Sequence, residues 1–253
     1  MKPAAYFSRI TPISLHDPLA ELLGATEDGI ITYDFLDAVK LAGHACPTVA
    51  GAWLATVRGL RALYGDDMPV RGNVSVALHE AVDDGVAGVI ASVATLLTGA
   101  AGAGGFKGLG GRHGRRNLLA FGVDGVAGLR FTRRDNGASV DCIVRLQGVA
   151  GDPRLGHLLP DVIMGTASAE EAALFRTLWQ DRVRRILVDH GDDTIDDRYG
   201  KVIPGREGEA WFLDEFGGFG KVALFAAPTT ALAARFDTNP HRARQRSQAT
   251  QRS

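Results

Sequence analysis

His44 and Cys46 stand two residues apart in the run Gly43-His44-Ala45-Cys46-Pro47. A neutral imidazole and a thiolate both suit zinc and other borderline metals, so the pair reads as two ligands of a metal site. It also reads as a nucleophilic thiol, Cys46, with His44 as its base. Pro47 fits the first turn of a helix, where its missing N–H is not needed. If Cys46 caps that helix, the helix dipole favours its thiolate. The plainest reading is a buried structural cysteine with His44 bonded to backbone. Two residues do not close a metal site, because structural zinc takes four ligands and catalytic zinc three from the protein. The further candidates are His79, followed by Glu80, and His113. Cys142 alternates with Val140 and Val144 and reads as a core cysteine. His157 and His190 fall in or beside connectors and read as solvated, and His241 lies in a polar tail.

Residues 99–114 hold eight glycines in sixteen, with Phe106, Lys107, Arg112 and His113 among them. A phosphate cradle of the Walker type needs Gly-Lys followed by Ser or Thr, and Lys107 is followed by Gly108. A dinucleotide fingerprint needs a strand before the loop and a helix after it, the reverse of the order expected here. What remains is a flexible connector whose Lys107, Arg112, Arg115 and Arg116 can bind an anion or close over a ligand.

The elements that must position these groups follow from periodicity. Asp17-Pro18 starts a short helix with a Leu19, Leu22 and Leu23 stripe, ended by Gly24. Thr32 is expected to cap a helix over residues 33–41. Val49, Trp53, Val57, Leu60 and Tyr64 recur at helical spacing, so a second helix spans 47–64. Residues 74–78 alternate as a strand, and the apolar run 82–97 reads as a buried helix. Residues 118–122, 129–133 and 140–146 read as strands of an antiparallel meander, with turns at Asp124-Gly125 and Asn136-Gly137. Residues 153–160 read as a connector. Ser168 with Glu171 forms a capping box that opens a helix reaching about His190. An acidic connector, 189–197, is followed by a strand or two over 210–219 and 221–226.

The chain has 253 residues, 45% of them hydrophobic, enough for a sizeable core. Lys plus Arg is 28 and Asp plus Glu is 29, a net charge of −1 that argues against a dedicated polyanion binder. No nucleic-acid role is expected from the short Arg-rich tail either. Two cysteines cannot form a disulfide framework, and neither a long apolar run nor a leader-like N-terminus is present. A cytoplasmic protein without a membrane partner is expected.

The run 43–47, with Gly51 four residues on and a helix ending at Leu63-Tyr64-Gly65, resembles the FmdE-like family, which takes its name from a component of formylmethanofuran dehydrogenase. The order strand, helix, then Thr98-Gly99 before a glycine-rich turn extends the resemblance over about residues 34–146. It implies an α+β domain, an intertwined homodimer, and a metal site, zinc by preference, using His44 and Cys46. Many relatives carry a further cysteine where this chain has Gly85, Ala87, Ala100 and Ala101, and a C-terminal cysteine-rich ribbon that this chain lacks after Cys142. Either the metal site is then lost, or His79 or His113 replaces the missing ligand.

The expected fold is α+β: an antiparallel or mixed sheet packed against helices in one main domain, with a C-terminal helical extension. A lead-in covers 1–30, the core 31–150, the extension 151–236 and a disordered tail 237–253. The expected function is a metal-binding protein with a small-molecule pocket under the 99–114 loop, ligated by His44, Cys46, His79 and His113. Lys107 and Arg112 would hold the ligand, and Cys46 and Glu80, or Asp84, would do the chemistry. The alternatives are a metal-free thiol enzyme using Cys46 and His44, and a non-enzymatic dimeric binding module.

Overall fold

A computed structural model describes residues 3–190 and two strands, Glu209–Leu213 and Phe219–Ala223. Two helices lie against one mixed sheet and a third packs on them, as an α+β reading requires. The sheet orders its strands as β4 (Leu119–Ala120), β3 (Val74–Leu78), β5 (Leu129–Arg133) and β6 (Ser139–Cys142). Strand β3 runs antiparallel to β5 and parallel to β4, so the expected all-antiparallel meander is corrected at β4. Every residue of β3 is buried, because it is central and covered on both faces. The Asn136-Gly137 turn does join β5 to β6, with Gly137 at a φ of 74°. Arg130 and Asp141 face each other across that pair and form a two-pronged ion pair at 2.5 and 2.6 Å.

Helix α3 (Pro47–Tyr64) lies on β5 and β6 and carries most of the core. Its small residues let it approach closely: a Cβ at Gly59 would sit 2.5 and 2.8 Å from two ring carbons of Phe131 and 3.2 Å from the Cys142 sulfur. Helices α2 (Phe35–Ala42) and α4 (Ala87–Thr98) complete the layer. Helix α4 starts five residues later than the apolar run, and residues 79–86 form a connector. Asp34, not Thr32, caps α2, in a reciprocal capping box with Asp37. Thr32 instead lies in β2 (Ile30–Tyr33), which pairs with β1 (Ile13–His16) in a small antiparallel sheet.

Asp17 caps α1 (Pro18–Leu22) as expected, but Leu22 and Leu23 face solvent. After the sheet, α5 (Arg154–Met164) replaces the expected connector and keeps Pro160 within it. Helix α6 (Ala169–Arg184) opens on the Ser168–Glu171 capping box, with both bonds formed, and ends in one π-helical turn, Arg185–Asp189. This extension docks on the start of α3: the Trp179 and Gln180 side chains donate to the Ala45 carbonyl at 3.0 and 3.3 Å. Strands β7 (Glu209–Leu213) and β8 (Phe219–Ala223) pair antiparallel, in the region where one or two strands were expected. The expected tail lies outside the described residues. No helix among the described residues is long and apolar enough to cross a membrane.

Candidate functional site

Cys46 is the cap of α3, and its sulfur accepts the Val49 N–H at 3.4 Å. It is 1% exposed, so the residue expected to be most reactive is shielded from solvent. His44 is exposed, and its Nδ1 bonds the Ala42 carbonyl at 2.9 Å, leaving Nε2 as the ring nitrogen open to a ligand.

The other expected ligands sit on separate elements. His79 and Glu80 follow β3. His79 Nδ1 and both Glu80 carboxyl oxygens are buried with no hydrogen-bond partner among the described residues. Burial pushes the Glu80 carboxyl upward, its own backbone N–H and then His79 oppose that, and Asp84 adds to it. His113 adopts a positive φ of 57° within the glycine-rich loop. Among the described residues no three His, Cys, Asp or Glu side chains come together as a group that could hold a metal. The donors among the described residues therefore fall short of a structural or catalytic zinc set.

The glycine-rich loop is fastened rather than open. Leu109 and Arg112 exchange backbone bonds at 2.9 Å in both directions, and Arg115 N–H donates to the Phe106 carbonyl at 2.8 Å. Lys107 and Arg112 are exposed. Arg115, expected on the loop surface, turns inward and is 6% exposed. Its guanidinium donates to Asp17 at 2.6 Å, and Arg71 holds the other Asp17 oxygen at 2.9 Å. Burial alone would raise the Asp17 carboxyl; the Arg71 bond and the Arg115 charge override it and hold the group below the usual carboxylate range. A side chain at Gly72 or Gly99 would collide with the Arg115 guanidinium, so both glycines make its channel.

A cavity lies elsewhere, between α3 and the chain that leaves β6. It has a volume of about 290 Å³, near the lower edge of ordinary ligand sites. One wall is a stripe of α3: Gly51, Leu54, Ala55 and Arg58, at spacings of three, four and seven. The facing wall is Cys142 to Leu146 with Gly148 and Val149. Ile186, in the π-helical turn, and the exposed His190 complete it. Such turns are frequent at functional sites. Gly51 is required by the closeness of the walls, since a Cβ there would lie 2.6 Å from Val144. Cys142 is core, as expected, and burial with Asp141 alongside pushes its thiol up to about 12, so it stays neutral.

Sequence reasoning missed Arg58, Arg145 and His190 as site residues. A signal for Arg58 was present: residues 47–57 carry no charge, and Arg58 is the first to interrupt that apolar helix. Arg145 carried no comparable signal, because its position depends on how the chain leaves β6. No protein-family model, no curated protein and no solved structure matches this chain.

Proposed function

We propose that the protein binds a small, largely aliphatic molecule in the cavity between α3 and residues 142–149. The observation that carries this reading is the cavity's make-up: an apolar interior of about 290 Å³ framed by two arginines. Ligand sites commonly combine such an apolar lining with a few polar groups that orient the ligand. The cavity offers no activated nucleophile, since its thiol is neutral at physiological pH. Binding, rather than covalent chemistry at Cys142, is the reading favoured here.

Thermal unfolding with a panel of ten-carbon compounds bearing alcohol, acid or amine heads tests it. Saturable stabilisation by at least one member is expected, because a ligand that binds only the folded state raises its stability. The effect should vanish in Leu54→Trp, which fills the cavity from the α3 wall. No stabilisation by any member, or undiminished stabilisation in the filled variant, would contradict the reading.

A second reading keeps a metal, in reduced form, at His44 and Cys46. What favours it is the Ala42 carbonyl bond to His44 Nδ1, the way ligating imidazoles are commonly oriented. It draws further on the motif's resemblance to the FmdE-like family. The chain would supply two ligands, so no reaction step is derived through the metal. Elemental analysis of the wild type beside His44→Ala and Cys46→Ala decides it. Near-stoichiometric metal lost in both variants supports it; metal absent from the wild type after zinc and iron supplementation contradicts it.

A further inference from the structure

The charge of the chain is close to balanced, but it is not evenly spread. Between Asp84 and Asp124 the sequence has no acidic residue, and it gathers Lys107, Arg112, His113, Arg115 and Arg116 into the glycine-rich loop. Arg115 is committed to Asp17 and anchors the foot of the loop. Lys107, Arg112 and Arg116 are exposed, and their side chains form no ion pair or hydrogen bond with any described residue. The net charge of −1, which argues against a polyanion partner for the chain as a whole, does not describe this loop.

The loop holds these cations in a set shape. Leu109 and Arg112 face each other across the turn Gly110-Gly111, whose φ values of 54° and 78° are those of a tight hairpin turn. Below it the Phe106 carbonyl accepts the Arg115 and Arg116 N–H groups at 2.8 and 3.2 Å, and the Gly102 carbonyl accepts that of Asn117 at 3.0 Å. A partner therefore meets a surface that needs little further ordering.

The groups between the cations decide the partner. Phe106 is 43% exposed and stands next to Lys107. An exposed ring beside cations offers a base a stacking face and its phosphates their counter-charge, which is how single strands are held. A lipid surface calls for apolar side chains at the leading edge, whereas the tip of this hairpin is two exposed glycines with nothing to insert. Those glycines let a phosphate come close to the backbone N–H groups.

Independently of the cavity, we propose that the hairpin over residues 106–116 binds single-stranded nucleic acid. Lys107, Arg112 and Arg116 contact its phosphates, and the Phe106 ring stacks on one base.

Fluorescence anisotropy of the full chain with labelled oligo-dT and oligo-U, each about twelve nucleotides long, tests this. Inorganic polyphosphate and phosphatidylserine vesicles serve as competitors without bases. Binding is expected to weaken about sixteenfold between about 50 and 200 mM salt, the slope of three phosphate contacts on a single strand. Lys107→Gln, Arg112→Gln and Arg116→Gln should each remove about a third of that slope. Phe106→Ala should weaken the oligonucleotides about tenfold, the loss of one stacked base, and leave both the slope and the competition by polyphosphate unchanged. All four side chains are exposed, so the variants keep the fold. Tighter binding of either oligonucleotide supports the proposal and identifies the sugar. No binding of either at about 50 mM salt would overturn it, and vesicle binding in its place would assign the loop to a lipid surface. Binding that survives the three Gln substitutions together would overturn the loop as the site. A loss of less than about twofold in Phe106→Ala would overturn the stacked base.

Discussion

Asp17 joins two segments distant in sequence, Arg71 and the glycine-rich loop's Arg115, at one 3% exposed carboxylate. Sequence reading found half of its role. Asp17-Pro18 is legible as a helix start, but its ion-pair partners lie 54 and 98 residues away and leave no local pattern. Removing one member of a buried charge cluster leaves the others uncompensated, so Asp17→Asn is expected to cost about 3–5 kcal/mol in chemical unfolding. A loss below about 1 kcal/mol would contradict the cluster. Because the Asp17 carboxyl is held low, its contribution is present above the ordinary carboxylate range and is lost as pH falls through the depressed value. Glu80 has the opposite sign. Burial of its carboxyl favours the protonated form, so the folded state loses stability as pH rises above the ordinary carboxylate range. Glu80→Gln should raise the Tm, and by more at pH 8 than at pH 5. A lower Tm at pH 8 would show that the carboxylate has an ionic partner and would contradict this account.

Elements were legible where the signal is local and strong. The Ser168 capping box, the Val74–Leu78 strand and the Asn136-Gly137 turn each rest on a few adjacent residues, and each forms. Elements that need a distant partner were not. Residues 30–33 carry apolar character that suits a helix or a strand, and the pairing with Ile13–His16 decides for strand. Residues 153–160 read as a connector, yet Leu155, Leu158, Leu159 and Val162 form a half-buried stripe on α5, beside α6. The glycines of helices divide by the same logic of contact. Gly59→Ala pushes a methyl into Phe131 and should destabilise by about 1–3 kcal/mol. Gly156→Ala, in α5, meets nothing within 4 Å and should stabilise by about 0.5–1 kcal/mol. Denaturant midpoints of the two variants, measured together, check the pair. Equal effects would contradict the close packing of α3 on the sheet.

At the scale of the whole molecule, one hydrophobic core runs from Ile10 to Leu187 and includes both the sheet's helices and the end of the C-terminal extension. The α+β class was expected from the resemblance at residues 34–146, and the helices and strands read along the chain agree with it. The candidate site was not expected, because the cavity's walls come from α3, the exit of β6 and the π-helical turn, which no single motif spans. The residues of conspicuous chemistry, His44, Cys46, His79 and His113, stand apart from it. The cavity is made of ordinary residues brought together by packing, with Gly51 and Gly59 setting how near α3 approaches.

The most direct test of the central claim is methyl-resolved NMR of the wild type during titration with each member of the ten-carbon panel. The account predicts saturable shifts at Leu54, Val144, Leu146, Val149 and Ile186, with Val93 and Leu97, buried in α4, unmoved. Shifts confined to the 99–114 loop or to the surroundings of His44, or no saturable shift at all, would contradict it.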